Sequence, residues 1–136
     1  MSDALTVEVD GDRLERLYEA ASAMRQSPRD AALTLVEEGL RMREFPAVEF
    51  RDTALGRQAY LRGERLAVWQ IVIVARSYDD DIDLIAEHFG IPADSITSAL
   101  DYAAHYEGDI TADIAGIDAA GERLASTLPP QQVIDV

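Results

Sequence analysis

The chain has 136 residues, the size of a single domain, and 48 % of them are hydrophobic, enough for a packed core and too many for a disordered chain. Cysteine is absent, which excludes disulfides and thiolate metal sites, and no apolar run is long enough to cross a bilayer. The formal charge is −14, and the start MSDALTVEVDG lacks the basic and apolar stretches of a secretory signal, so a cytoplasmic protein with no membrane contact is expected.

Residues 5–9 (LTVEV) alternate apolar and polar, as a short strand does. Asp10-Gly11 is a turn signal, and from Asp12 the apolar positions Leu14, Leu17, Tyr18, Ala21 and Met24 are spaced for one helix. Ser27-Pro28 opens a second helix, with Ser27 as N-cap and Pro28 in the first turn. Its stripe is Ala32, Leu35, Val36 and Leu40. Arg41 and Arg43 suit the negative end of its dipole, and Phe45-Pro46 ends it. A strand and two helices within 45 residues resemble a ribbon-helix-helix dimerisation unit, which implies a homodimer. In such a unit the polar strand face reads DNA. Here that face is Thr6, Glu8 and Asp10, and its carboxylates repel phosphates.

Residues 46–55 read as a connector. Ala59–Leu66 reads as a hairpin turning at Arg62-Gly63. Residues 67–74 (AVWQIVIV) fit either a strand, by β-branched content, or a helix buried on most sides. Ile82, Ile85, Ala86 and Phe89 line one helix, which Gly90 closes. Asp94 is the expected cap of the next helix, whose stripe is Ile96, Ala99, Leu100 and Ala103. That spacing is the packing signature of a helix-turn-helix pair. The second helix offers Asp94, Ser95, Thr97, Ser98 and Asp101 to solvent and no cation, so the pair reads as a packing element rather than a DNA reader. Residues 109–125 form a last helix, capped by Asp109 or Thr111, with Ile110, Ile114, Ile117 and Leu124 as its stripe. Gly116 and Gly121 weaken it. The tail TLPPQQVIDV reads as an extended arm with Val133 and Ile134 as anchors.

The expected architecture is therefore mainly α. Residues 1–45 are a strand-helix-helix dimerisation segment. Residues 46–110 are a helical domain with a small β-hairpin and a helix-turn-helix-like bundle. Residues 111–136 are a C-terminal helix and tail.

Charge is distributed unevenly along this layout. Residues 1–40 carry −5, residues 41–76 carry +3 and residues 77–136 carry −12. Every cation is Arg, a pattern that GC-rich coding produces without regard to function, and Arg57, Arg62 and Arg65 on the hairpin are the candidates for phosphate contact. The two histidines, His88 and His105, have no partner at metal-ligand spacing, and Asp79–Asp83 lacks calcium-loop spacing. Nucleotide-binding and nucleophile motifs are absent as well. Neither an enzyme nor a metal or cofactor is expected.

Residues 56–106 are similar to the bacterial domain-of-unknown-function family 433. The pieces that carry the resemblance are Gly56, Arg62-Gly63-Glu64-Arg65, Val68-Trp69, Asp79–Asp81 and Ala99-Leu100-Asp101-Tyr102-Ala103, in order. Glu64 stands where that family commonly has Thr, and Gln58 where it often has Pro. The resemblance implies that residues 67–78 are helical. It also implies an antitoxin of a type II toxin–antitoxin system, whose partner is a PIN-like ribonuclease toxin. Binding to operator DNA, as a repressor, is the alternative. An acidic surface suits a ribonuclease, whose RNA-attracting face is basic. Ile114, Ile117, Arg123, Leu124, Val133 and Ile134 are the expected partner contacts. Arg123, the one cation after residue 76, suits bidentate pairing with a carboxylate-lined active site.

Overall fold

The computed structural model describes residues 3–127. In chain order these form α1 (Gly11–Met24), α2 (Pro28–Glu44), β1 (Val48–Thr53), β2 (Gly56–Leu61), α3 (Val68–Ser77), α4 (Ile82–Phe89), α5 (Ala93–His105) and α6 (Glu107–Thr127). The described chain is mainly helical, with one two-stranded antiparallel hairpin.

Local signals set the first two helices. α1 stops at Arg25, which adopts the left-handed conformation (φ 57°) and returns its amide to the carbonyls of Ala21 and Ser22. α2 starts at Ser27, whose hydroxyl accepts the Asp30 amide at 3.1 Å, and Pro28 fills the first turn. The two helices close over Ala21, Met24 and Ala31, with Leu17 and Ala20 at the edge.

The strand expected at residues 5–9 is not formed. Residues 3–10 are neither helix nor strand, and Leu5 and Val7 are exposed. The alternation is present, but a strand also needs a neighbour for its amides and carbonyls, and the described chain brings none to this segment.

The hairpin lies earlier than expected. Residues read as a connector contain β1, which pairs with β2 from Val48↔Leu61 to Thr53↔Gly56. Gly56 leaves the turn at φ 103°, a conformation open mainly to glycine. The Thr53 hydroxyl accepts the Leu55 amide and donates to the Gly56 carbonyl. A chain reversal at Arg62-Gly63 also exists, since the Leu61 amide donates to the Leu66 carbonyl at 2.9 Å and Tyr60 bridges to Ala67. It makes no second hairpin because Ala67 already caps α3, its amide donating to the Gln70 side chain at 2.9 Å.

α3 is a helix despite its β-branched content, because it is buried between two cores. Ile71 and Ala75 join Leu61, Leu66, Ile85, Ile96 and Ala99. Val68 joins Val48, Ala59, Tyr102, Ala103 and Ile110 in the second cluster. Between α4 and α5, Gly90 takes φ 68° and its amide reaches the Ala86 and Glu87 carbonyls. Ile96 is fully buried in the angle. Asp81 caps α4 by accepting the Leu84 amide. Asp94 is not the cap of α5, whose cap is Pro92, two residues earlier, and it sits in the first turn where its charge complements the dipole. α6 begins at Glu107, after a break at Tyr106 alone, earlier than the expected caps Asp109 and Thr111.

Two glycines of opposite sense test this account. Gly90→Ala forces a Cβ into the left-handed region and should cost about 1–2 kcal/mol in urea unfolding. Gly121→Ala, at an exposed α6 position with nothing within 4 Å of the new Cβ, should stabilise by about 1 kcal/mol.

Candidate functional site

α2, the hairpin, α5 and α6 meet at a polar joint built on two arginines. Arg57 on β2 grips Glu38 of α2, its Nε and Nη2 donating to the two carboxylate oxygens, and its Nη1 donates to Asp52 Oδ1 at 3.0 Å. Glu38 is 5 % exposed, so its charge depends on that guanidinium. In turn, the Glu38 contact raises the Arg57 pKa above its ordinary value against the effect of burial.

Arg41 lies one helical turn further along α2. Its Nε donates to Glu37 at 2.7 Å, and its Nη1 donates to the Tyr102 hydroxyl at 3.0 Å and to Asp109 at 2.6 Å. The guanidinium also covers the Tyr106 ring, 3.8 Å from its centroid. Burial opposes the Arg41 charge, but the contacts with Glu37, Asp109 and Tyr102 outweigh it and hold the group above its usual range.

A cavity of about 240 Å³ opens at this joint, with Phe50, Ala59 and Ile110 on its apolar side and Asp113 at its α6 edge. Asp113 is half-buried, and no hydrogen bond or ion pair reaches it from the described residues. Burial first, and the neighbouring Asp109 charge second, push its pKa from the ordinary 3.8 up to about 6.

The expected DNA contacts fall in three different environments. Arg57 is engaged inside the joint. Arg62 holds the loop before β1, with Nε donating to the Pro46 carbonyl at 2.8 Å and Nη2 to the Val48 carbonyl at 3.0 Å. Arg65 is exposed on the rim of a cavity of about 360 Å³ that it shares with Leu55, Trp69 and Ile117.

The expected partner contacts on α6 also divide. Ile114 packs against the second core cluster, and Ile117 lines the cavity beside the hairpin. Residues 121–126, including Arg123 and Leu124, are exposed on every side of the helix. Val133 and Ile134 lie outside the described residues. His88 accepts or donates a hydrogen bond with the Tyr78 hydroxyl at 3.2 Å, and His105 packs against Phe45 and Tyr106. Among the described residues, no group of three or more His, Asp or Glu is placed to hold a metal ion.

Glu38 and Asp113 do not stand out in the sequence, and Arg41 stands out only as a cation at the end of its helix. Arg57, which binds Glu38, and Tyr102 and Asp109, which Arg41 binds, lie 19 to 68 residues away, and no local spacing announces such a pairing.

No family model matches the chain, and no curated protein or solved structure matches it.

The Asp113 carboxyl gives a pH signature with a definite sign. Its folded pKa, about 6, exceeds its unfolded value, so the folded state takes up a proton first as pH falls. Its destabilising effect is fully present above pH 6 and disappears as pH falls towards 3.8. Asp113→Asn should therefore raise Tm by about 2 °C at pH 7.5, with the gain absent by pH 4, in parallel thermal melts.

Proposed function

We propose that this chain is a non-catalytic binding protein, the antitoxin of a toxin–antitoxin pair, and that it neutralises a PIN-like ribonuclease. The observation that carries the reading is the end of α6. From Gly121 to Ser126 every side chain is exposed, although the helix runs unbroken to Thr127. Helical turns without packing are marginal in water, and Gly116 and Gly121 weaken these further. A partner surface would supply the burial that the other described residues do not.

The chemistry of that partner follows from the side chains displayed. α6 carries Glu107, Asp109, Asp113, Asp118 and Glu122 against the single cation Arg123, and it displays Leu124, 63 % exposed, as an apolar anchor. An acidic helix with one such anchor suits a basic groove of the kind that attracts RNA. Arg123 suits the carboxylates of a metal-dependent nuclease at the base of that groove. The likeness of residues 56–106 to family 433 rests on their motifs alone, without a matching family model, and agrees with this reading.

Repression through operator DNA has less support. Two of the three hairpin cations, Arg57 and Arg62, are bonded within the chain, and Glu64 adjoins the third.

Co-expression with the flanking genes, followed by affinity purification and a ribonuclease assay, tests the proposal. The full chain should carry a small ribonuclease with it and suppress its activity. A chain ending at Ala120, which removes only exposed α6 turns and the segment beyond them, should lose at least about tenfold in inhibition, as should Leu124→Glu. Undiminished inhibition by the chain ending at Ala120 would sink the assignment of this surface.

A further inference from the structure

Seven of the eleven large apolar side chains exposed among the described residues precede residue 41. Within that set, α2 contributes a distinct stripe. One face of α2 carries Ala31 and Glu38, which are buried, and Met42, which is half-buried. The opposite face carries Leu33, Val36 and Leu40, three and four residues apart, at 62 %, 61 % and 53 % exposure. Nothing in the described chain covers them, and a contiguous apolar stripe of this kind marks an interaction surface.

We propose that this stripe is covered by the same stripe of a second copy, as an antiparallel α2 pair about a two-fold axis. The spacing is self-complementary. An axis between Val36 and Glu37 sets Leu33 over Leu40 of the second copy, in both directions, with the two Val36 side chains flanking the centre.

The charges at the two ends fix the orientation. The same axis brings Arg29 to Glu44 of the second copy. Arg29 is exposed and has no hydrogen bond or ion pair among the described residues. Glu44 accepts only the Tyr106 hydroxyl, at 3.3 Å. A parallel pair would instead place Arg29 against Arg29 and Glu44 against Glu44, and like charges at the rim penalise that arrangement.

This interface differs from pairing of residues 3–10 as strands, and it is independent of whatever α6 binds. Sedimentation of the full chain at about 1–100 µM tests it, because a specific interface of ordinary size saturates within that range. The chain should be a dimer. Leu33→Glu/Leu40→Glu should weaken dimerisation roughly 100-fold or more while leaving far-UV helicity unchanged, because both positions are exposed in the single chain. Arg29→Glu should weaken it about tenfold, and adding Glu44→Arg should restore it. Leu5→Asp/Val7→Asp should leave the dimer intact.

A monomeric full chain, or a dimer indifferent to Leu33→Glu/Leu40→Glu, overturns the interface. Failure of the charge swap to restore pairing overturns the antiparallel register. Loss of the dimer in Leu5→Asp/Val7→Asp alone assigns dimerisation to residues 3–10 instead.

Discussion

A buried carboxylate requires a cation, and in this chain that requirement joins the N-terminal helices to everything after them. Glu38 lies on the inner face of α2 and Arg57 on β2, and each would be costly to bury without the other. The contact fixes where the hairpin lies against α2. Arg41, one turn along, then binds Tyr102 and Asp109 and fixes where α5 ends and α6 begins. Three of the elements flanking the second core cluster are thus oriented by two guanidinium groups, with apolar packing filling the space between them.

The same contacts reshape the electrostatics. In the sequence, residues 41–76 are a basic island with a charge of +3. In the fold, Arg41, Arg51 and Arg57 are paired with carboxylates, and Arg62 is bonded to backbone carbonyls. The molecule therefore presents less positive charge than its composition promises. Beyond the joint, Asp118 and Glu122 of α6 make no ion pair among the described residues, and this asymmetry underlies the proposal of a basic partner rather than nucleic acid.

What could be read from the sequence was local. Ser27-Pro28 opened α2, Gly90 closed α4, and Ile96 and Ala99 marked the buried side of α5, because each signal works within one turn of chain. Position and pairing of the strands were not legible. The β1 run VEFRDT shows only two inward apolar residues after Pro46, and residues 5–9 carry a strand pattern without a strand to pair with among the described residues. The β-branched run in α3 was ambiguous until burial on two sides selected the helix. On α2 the apparent stripe Ala32, Leu35, Val36 and Leu40 mixed two faces, which only the position of α1 separates. The candidate site was legible as residue types, since Arg57 and Arg123 stood out by charge. Whether each would turn inward or outward depended on Glu38 and on the length of α6.

The described chain comprises a body held by the arginine joint and two displayed helix surfaces, the α2 stripe and the last turns of α6. The central claim is that those α6 turns are the part a basic ribonuclease covers. Amide hydrogen exchange, compared between the chain alone and its complex with the ribonuclease proposed as its partner, measures this directly. The account predicts that exchange between residues 118 and 127 slows by about tenfold or more on binding while residues 61–66, from the end of β2 into the loop before α3, are unchanged. Slowing confined to that loop, with the end of α6 as exposed as before, would contradict it.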